Sequence, residues 1–154
     1  MYRNILVAVD GSAAADAALE HALRLAAEQQ AHLHLVHIID IGALPVSEES
    51  ALGGPDMAAL MRRQGQALLE RALRDVQRAG VHASSRLLEG EVFGKRVSEL
   101  LADEARASGA DLVVVGSHGW RGFTRLFLGS VAEGVARLCP MPVMIVHAAP
   151  ASAP

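Results

Sequence analysis

A chain of 154 residues with a formal charge of −3 is about one domain long and has no surplus of cations for gripping a phosphate polymer, which argues against binding DNA or RNA by charge. It is 51% hydrophobic but only 3% aromatic, so its core must be built from Ala, Val, Leu and Ile in close, helix-rich packing. No apolar run approaches a membrane span, the start Met1-Tyr-Arg-Asn has no signal-peptide pattern, and the single cysteine, Cys139, reads as a small buried hydrophobe; we expect a cytoplasmic protein.

Arg3 to Val9 is a short β-branched run that ends at Asp10-Gly11-Ser12, a turn and helix-cap signal. From Ala13 to Gln30, Leu19, Ala22, Leu23 and Ala26 recur at helical spacing, with Asp16, Glu20 and Arg24 on another face. Leu33 to Ile39 is a second strand, followed by a Gly-, Pro- and Ser-rich segment, Ile41 to Asp56, that is long enough for a functional loop. Leu69, Ala72, Leu73 and Val76 mark a second helix closed by Gly80, and His82 to Leu88 is a more polar strand suited to a sheet edge. Gly94 to Ser108 presents Val97, Leu100 and Leu101 on one helical face, and Leu112 to Val115 is a fourth strand. Val131, Val135 and Leu138 define a last helix that Cys139-Pro-Met-Pro stops, Val143 to His147 is a fifth strand, and 149–154 reads as a flexible tail after a domain spanning 1–148.

Strands alternating with helices predict a single α/β domain, a five-stranded parallel sheet with helices on both faces joined by right-handed crossovers. Ligands of such open sheets sit beyond the carboxyl ends of the strands, where strand order reverses. That rule gathers Ala8, Val9 and Asp10, the end of the second strand at Ile38, and the loop after the fourth strand. The loop carries glycines at 116, 119, 122 and 129. Its backbone N–H groups, and those where Gly129-Ser130-Val131 opens the last helix, suit an anionic phosphate, because a helix N-terminus combines free donors with a positive dipole end.

The spacing Gly116-x2-Gly119-x9-Gly129-Ser130 resembles the ATP-binding motif of the universal stress protein family. ILVAVDGS near the N-terminus, LVVVGSHG and the closing CPMPVMIV are similar to the same family, so that the resemblance runs from Asn4 to Val146. It implies a flavodoxin-like sheet of order 3-2-1-4-5, of the adenine nucleotide alpha hydrolase-like type, and a homodimer joined edge to edge through Val143 to Val146. It further implies that Ala8 and Val9 flank an adenosine, that Ile38 meets the adenine, and that Asp10 lies near the ribose or a phosphate-bound Mg2+. Gly116, His118 and Gly119 would line the ribose and phosphate path, and Gly129, Ser130 and Val131 would bind phosphates. Arg121 and Arg125 fall in the nine-residue spacer, with Arg121 the candidate phosphate ligand, while Trp120 and Phe123 receive no role.

Gly90-Glu-Val-Phe-Gly94-Lys95-Arg96 is not a P-loop, because three residues separate its glycines and Arg96 stands where a metal-binding hydroxyl is required. His32 and His34 share a strand face but show no further ligand at recognisable spacing, and no GxSxG elbow is present. The expected function is therefore nucleotide-dependent regulation of stress survival, with ATP and Mg2+ bound and any hydrolysis slow. The alternatives are an interaction module of the same fold that binds no nucleotide, a slow ATPase or phosphotransferase, and a sensor of AMP or a cyclic nucleotide.

Overall fold

The computed structural model describes residues 1–41, 54–90, 96–119 and 128–148, with only the backbone of 54–56. Nine elements alternate along it: β1 (Asn4–Ala8), α1 (Ala13–Gln29), β2 (His32–Asp40), α2 (Gly54–Arg78), β3 (Ala83–Gly90), α3 (Val97–Ala107), β4 (Leu112–Gly116), α4 (Ser130–Leu138) and β5 (Val143–Val146). The strands form one parallel sheet in the order β3-β2-β1-β4-β5. The expected order and the edge position of β3 are both found. The segment expected as a loop from Ile41 to Asp56 is shorter than that, because α2 already begins at Gly54, with Pro55 at a position where a missing N–H costs nothing.

The low aromatic content has a direct structural consequence. α1 turns Ala14, Ala15, Ala18, Ala22 and Ala26 inward, and side chains that short let a helix lie close against a sheet. Ser12 caps it by accepting the Ala15 N–H at 3.2 Å, and Gln30 closes it in the left-handed region at φ 55°. Two apolar layers result. On one face Ile5, Val7, Leu33 and Leu35 pack with α1 and with Leu69, Ala72 and Val76 of α2. On the other, Leu6, Val36, Val113 and Val115 pack with Leu101 and Ala105 of α3 and Ala132 and Val135 of α4. Because β1 is covered on both sides, Ile5, Leu6 and Val7 are all fully buried, which is why its sequence is a continuous apolar run instead of an alternation.

Cys139 ends α4 as a half-buried residue, and burial pushes its thiol above the ordinary range, consistent with a packing role.

α3 and α4 meet at their small residues. A Cβ added to Gly134 would lie 2.5 Å from Ser98 Cβ, too near for either backbone to stay in place. Gly134→Ala is therefore expected to lower stability by about 1–3 kcal/mol through overpacking, although alanine favours helix by ~1 kcal/mol. A urea titration checks this, and an unchanged or raised midpoint would show that the two helices part freely.

Candidate functional site

The carboxyl ends of β1 and β4 are adjacent, yet the chain leaves them toward opposite faces of the sheet, into α1 and α4. Departures to opposite faces open a crevice between the two connections in sheets of this kind, and here the connections are joined by short-range hydrogen bonding. After β1 the chain reverses at Gly11, whose φ of 78° only glycine adopts freely. Asp10 fixes the reversal by accepting the Ser12 N–H on Oδ1 at 2.8 Å. Ser12, almost fully buried, then reaches across the crevice, its Oγ donating to the His118 carbonyl at 3.5 Å.

The loop after β4 is tied in the same way. Ser117 is 2% exposed; its N–H donates to Val146 O at 2.8 Å, and its carbonyl accepts the Gly129 N–H at 2.8 Å. Its hydroxyl meets Nδ1 of His118 at 2.9 Å. The other ring nitrogen, Nε2 of His118, is buried and has no hydrogen-bond partner among the described residues. A buried polar atom left in that condition costs about 1–3 kcal/mol unless something else satisfies it. The His147 ring stands 6.5 Å away, centroid to centroid.

α4 begins at this point. Gly129 caps it with extended backbone (φ −64°, ψ 153°) and, being glycine, brings no side chain to cap the first turn. The first intrahelical bond is Glu133 N–H to Gly129 O, so the N–H groups of Ser130, Val131 and Ala132 lie in the turn that helix geometry leaves without internal acceptors. Ser130 is exposed and can add its hydroxyl to that array.

Most of the residues expected at the site thus come together, in different capacities. Asp10 and Gly119 are in contact range, since a Cβ on Gly119 would fall 3.0 Å from Asp10 Oδ2. Gly129 lies over Ser117 and His118, its Cβ position 3.1 Å from the Ser117 carbonyl. Ala8, Ile38 and Val131 are partly buried against the α3–α4 layer. Val9 is buried in the opposite layer, with its N–H on Val36 O at 2.9 Å and its carbonyl taking Nδ1 of His37 at 2.7 Å, so it acts through its backbone. Arg121, together with Trp120, Phe123 and Arg125, lies outside the described residues. Ser12 and Ser117 were not singled out for the site from sequence. Ser12 carried a legible cap signal, whereas nothing in the pattern distinguished Ser117.

Gly116 has a reason of its own to be glycine. The position of a Cβ there lies 2.7 Å from the Ala14 carbonyl carbon and 2.8 Å from the Ala15 nitrogen, so what approaches this residue is the first turn of α1.

The sequence profile described as the universal stress protein family matches residues 1–147. The chain belongs to the universal stress protein family. Universal stress protein YxiE of Bacillus subtilis is 34% identical over 156 aligned positions, covering 96% of this chain and all of the relative. A universal stress protein solved in complex with cAMP is 27% identical, covers 96% of this chain and 98% of its own, and superposes with a TM-score of 0.67. A universal stress protein from Archaeoglobus fulgidus, solved with dAMP, is 25% identical over 94% of this chain and 98% of its own, with a TM-score of 0.64.

Gly116→Ala is expected to cost about 1–3 kcal/mol, because a new methyl would press on backbone that no rotamer change can move. Gly129→Ala, whose nearest neighbour is a single carbonyl oxygen at 3.1 Å, should cost less than half as much. Paired urea denaturation curves decide it; equal losses would mean that α1 yields at Gly116.

Proposed function

We propose that this universal stress protein is a regulatory binder of an adenine nucleotide, ATP carried with Mg2+, held across the carboxyl ends of β1 and β4, and that it acts as a homodimer and not as a dedicated enzyme. The observation that carries the reading is the start of α4 at Gly129, packed over Ser117 and over His118, whose buried Nε2 has no partner among the described residues, with Asp10 facing the neighbouring Gly119. Free N–H donors at a positive dipole end fit phosphate oxygens. The carboxylate of Asp10 is a hard oxygen donor of the kind that Mg2+ takes alongside phosphates. Nε2 of His118 supplies a further polar group for the ribose or phosphate path. The two relatives solved with cAMP and dAMP lend support, because each holds an adenine nucleotide.

Hydrolysis needs a positioned water, an orienting base and usually an assisting arginine. Here Asp10 also holds the turn that starts α1, through the Ser12 N–H. We therefore read ATP as a bound effector with slow turnover, which acts by favouring whichever conformation or partner complex binds it better. The dimer reading rests on β5, a four-residue strand at the sheet edge with Met144 exposed on it. Pairing with a second copy would satisfy its open backbone groups.

Calorimetric titration of ATP, with and without Mg2+, into nucleotide-stripped protein tests the reading. Micromolar or tighter binding is expected, weakened about tenfold or more in Ser130→Ala, since a hydrogen bond to a charged group is worth ~1.5–3 kcal/mol. Asp10→Asn should remove the Mg2+ enhancement, and competition with AMP and cAMP ranks the phosphate arrangement preferred. Absence of binding to the parent chain would leave the second reading, a nucleotide-free interaction module working through the exposed β5 edge.

A further inference from the structure

At the other end of the sheet, away from the nucleotide crevice, the amino ends of β1, β2 and β3 and the last turn of α3 enclose a cavity of about 320 Å3 lined by Asn4, His32, His34, Ser84, Arg86 and Glu104, among others. That volume is at the small end of the ~300–1,000 Å3 range of small-molecule sites. His34 and Ser84 are register partners on β2 and β3, so the sheet itself sets their approach.

With Glu104 ionised and the His34 ring neutral, one arrangement of protons satisfies the hydrogen bonds in this cavity. Glu104 is 6% exposed, and its carboxylate is held by Arg86 NH1 at Oε2 (2.8 Å) and by His34 Nε2 at Oε1 (2.8 Å). An ionised carboxylate only accepts, so Nε2 of His34 carries the ring proton, and in the neutral ring Nδ1 is an acceptor. The group 2.8 Å from Nδ1 is Ser84 Oγ, which must therefore donate its single proton there. His32 Nε2, 2.9 Å from the same oxygen, can then only donate to it. Burial, reinforced by neighbouring His34 and His82, lowers the pKa of His32 and favours its neutral, single-proton form. Serine hydroxyl to imidazole, imidazole to buried carboxylate, is the arrangement that activates a hydroxyl for attack.

We propose that Ser84 is a nucleophile, with His34 as its base and Glu104 as a positioning residue for that base, in a second site that cleaves small acyl esters. Ser84 Oγ bonds to the acyl carbon as its proton passes to His34 Nδ1. The carbon–oxygen bond to the alcohol breaks, and the departing alkoxide takes that proton. Water then gives a proton to Nδ1 while its oxygen joins the acyl carbon, and Ser84 Oγ leaves and is reprotonated by His34. The sum is ester plus water to acid plus alcohol. The imidazolium formed between the steps is stabilised by Glu104 and by the carboxyl end of α3, where Ala107 and Ser108 also line the cavity. Arg86 spends NH1 on Glu104 and has further N–H groups on the same guanidinium for the developing oxyanion.

The full chain is incubated with an alkyl fluorophosphonate and, separately, with p-nitrophenyl acetate, and the adduct is located by intact-mass and peptide-level mass spectrometry. A single adduct on Ser84 is expected with the fluorophosphonate, and continued release of p-nitrophenolate with the ester, because the acetyl group formed on Ser84 is hydrolysed in the second step. In His34→Gln, checked for retained fold by circular dichroism, labelling should slow by about 100-fold or more, the usual contribution of a positioned base. No fluorophosphonate adduct on the parent chain, an adduct on a different serine, or undiminished labelling in a folded His34→Gln would overturn the proposal and leave His32, His34, Ser84, Arg86 and Glu104 as a tie between β2, β3 and α3. The parent chain decides the first two outcomes, so a variant that fails to fold does not shelter the proposal.

Discussion

No Cβ fits between the end of β4 and the start of α1. At Gly116 the backbone of Ala14 and Ala15 occupies the space that any side chain would need. This contact depends on the alanine face of α1, since a larger inward residue would lift the helix from the sheet. It also sets the candidate site. With α1 pressed against β4, Ser12 reaches the His118 carbonyl, Asp10 faces Gly119, and the loop after β4 is held against the loop after β1. Everything assembled at the carboxyl end of the sheet refers back to that approach.

The two ends of the sheet are chemically different because parallel strands point every helix the same way relative to them. At the carboxyl end α1 and α4 begin, bringing unpaired N–H groups and positive dipole ends that suit an anion. At the amino end α3 finishes, bringing Glu104 and the negative dipole end that suit a protonated imidazole. An anion-suited helix start at one end and a serine–histidine–glutamate array at the other thus follow from one topology. The first uses backbone donors and needs little from side chains; the second is made entirely of side chains, on strands whose register brings His34 level with Ser84.

The buried charges follow the same economy. Glu104 is tolerated in a nearly closed position because each oxygen has a donor, Arg86 on one and His34 on the other. Arg62 and Glu89 form a comparable pair between α2 and β3 at the surface, where each shifts the other toward its charged form: hydrogen bonding to Arg62 lowers the pKa of Glu89, and hydrogen bonding to Glu89 raises that of Arg62. Solvent screening leaves that surface pair to orient side chains more than to stabilise the fold.

The sequence by itself determined the alternation of strands and helices, because short apolar β-branched runs and apolar periods of 3.6 residues are local properties of the chain. It pointed to the carboxyl end of the sheet as the candidate site as well, since Asp10-Gly11-Ser12 and the glycine spacing from 116 to 129 are contiguous signals. The tertiary structure decided what those residues are for. Gly116 stood in the sequence as one glycine among a loop of them, and only the position of α1 shows that its missing side chain makes room for Ala14 and Ala15. The start of α2 at Gly54 was hidden because a Gly-Pro pair reads as a turn as readily as it reads as a helix start. Ser84 and Glu104 are 50 and 70 residues from His34 in the two hydrogen bonds that join them, so no local pattern could relate them. Periodicity tells a chain which face to bury; the register of strands and the depth of a helix contact decide which distant side chains meet.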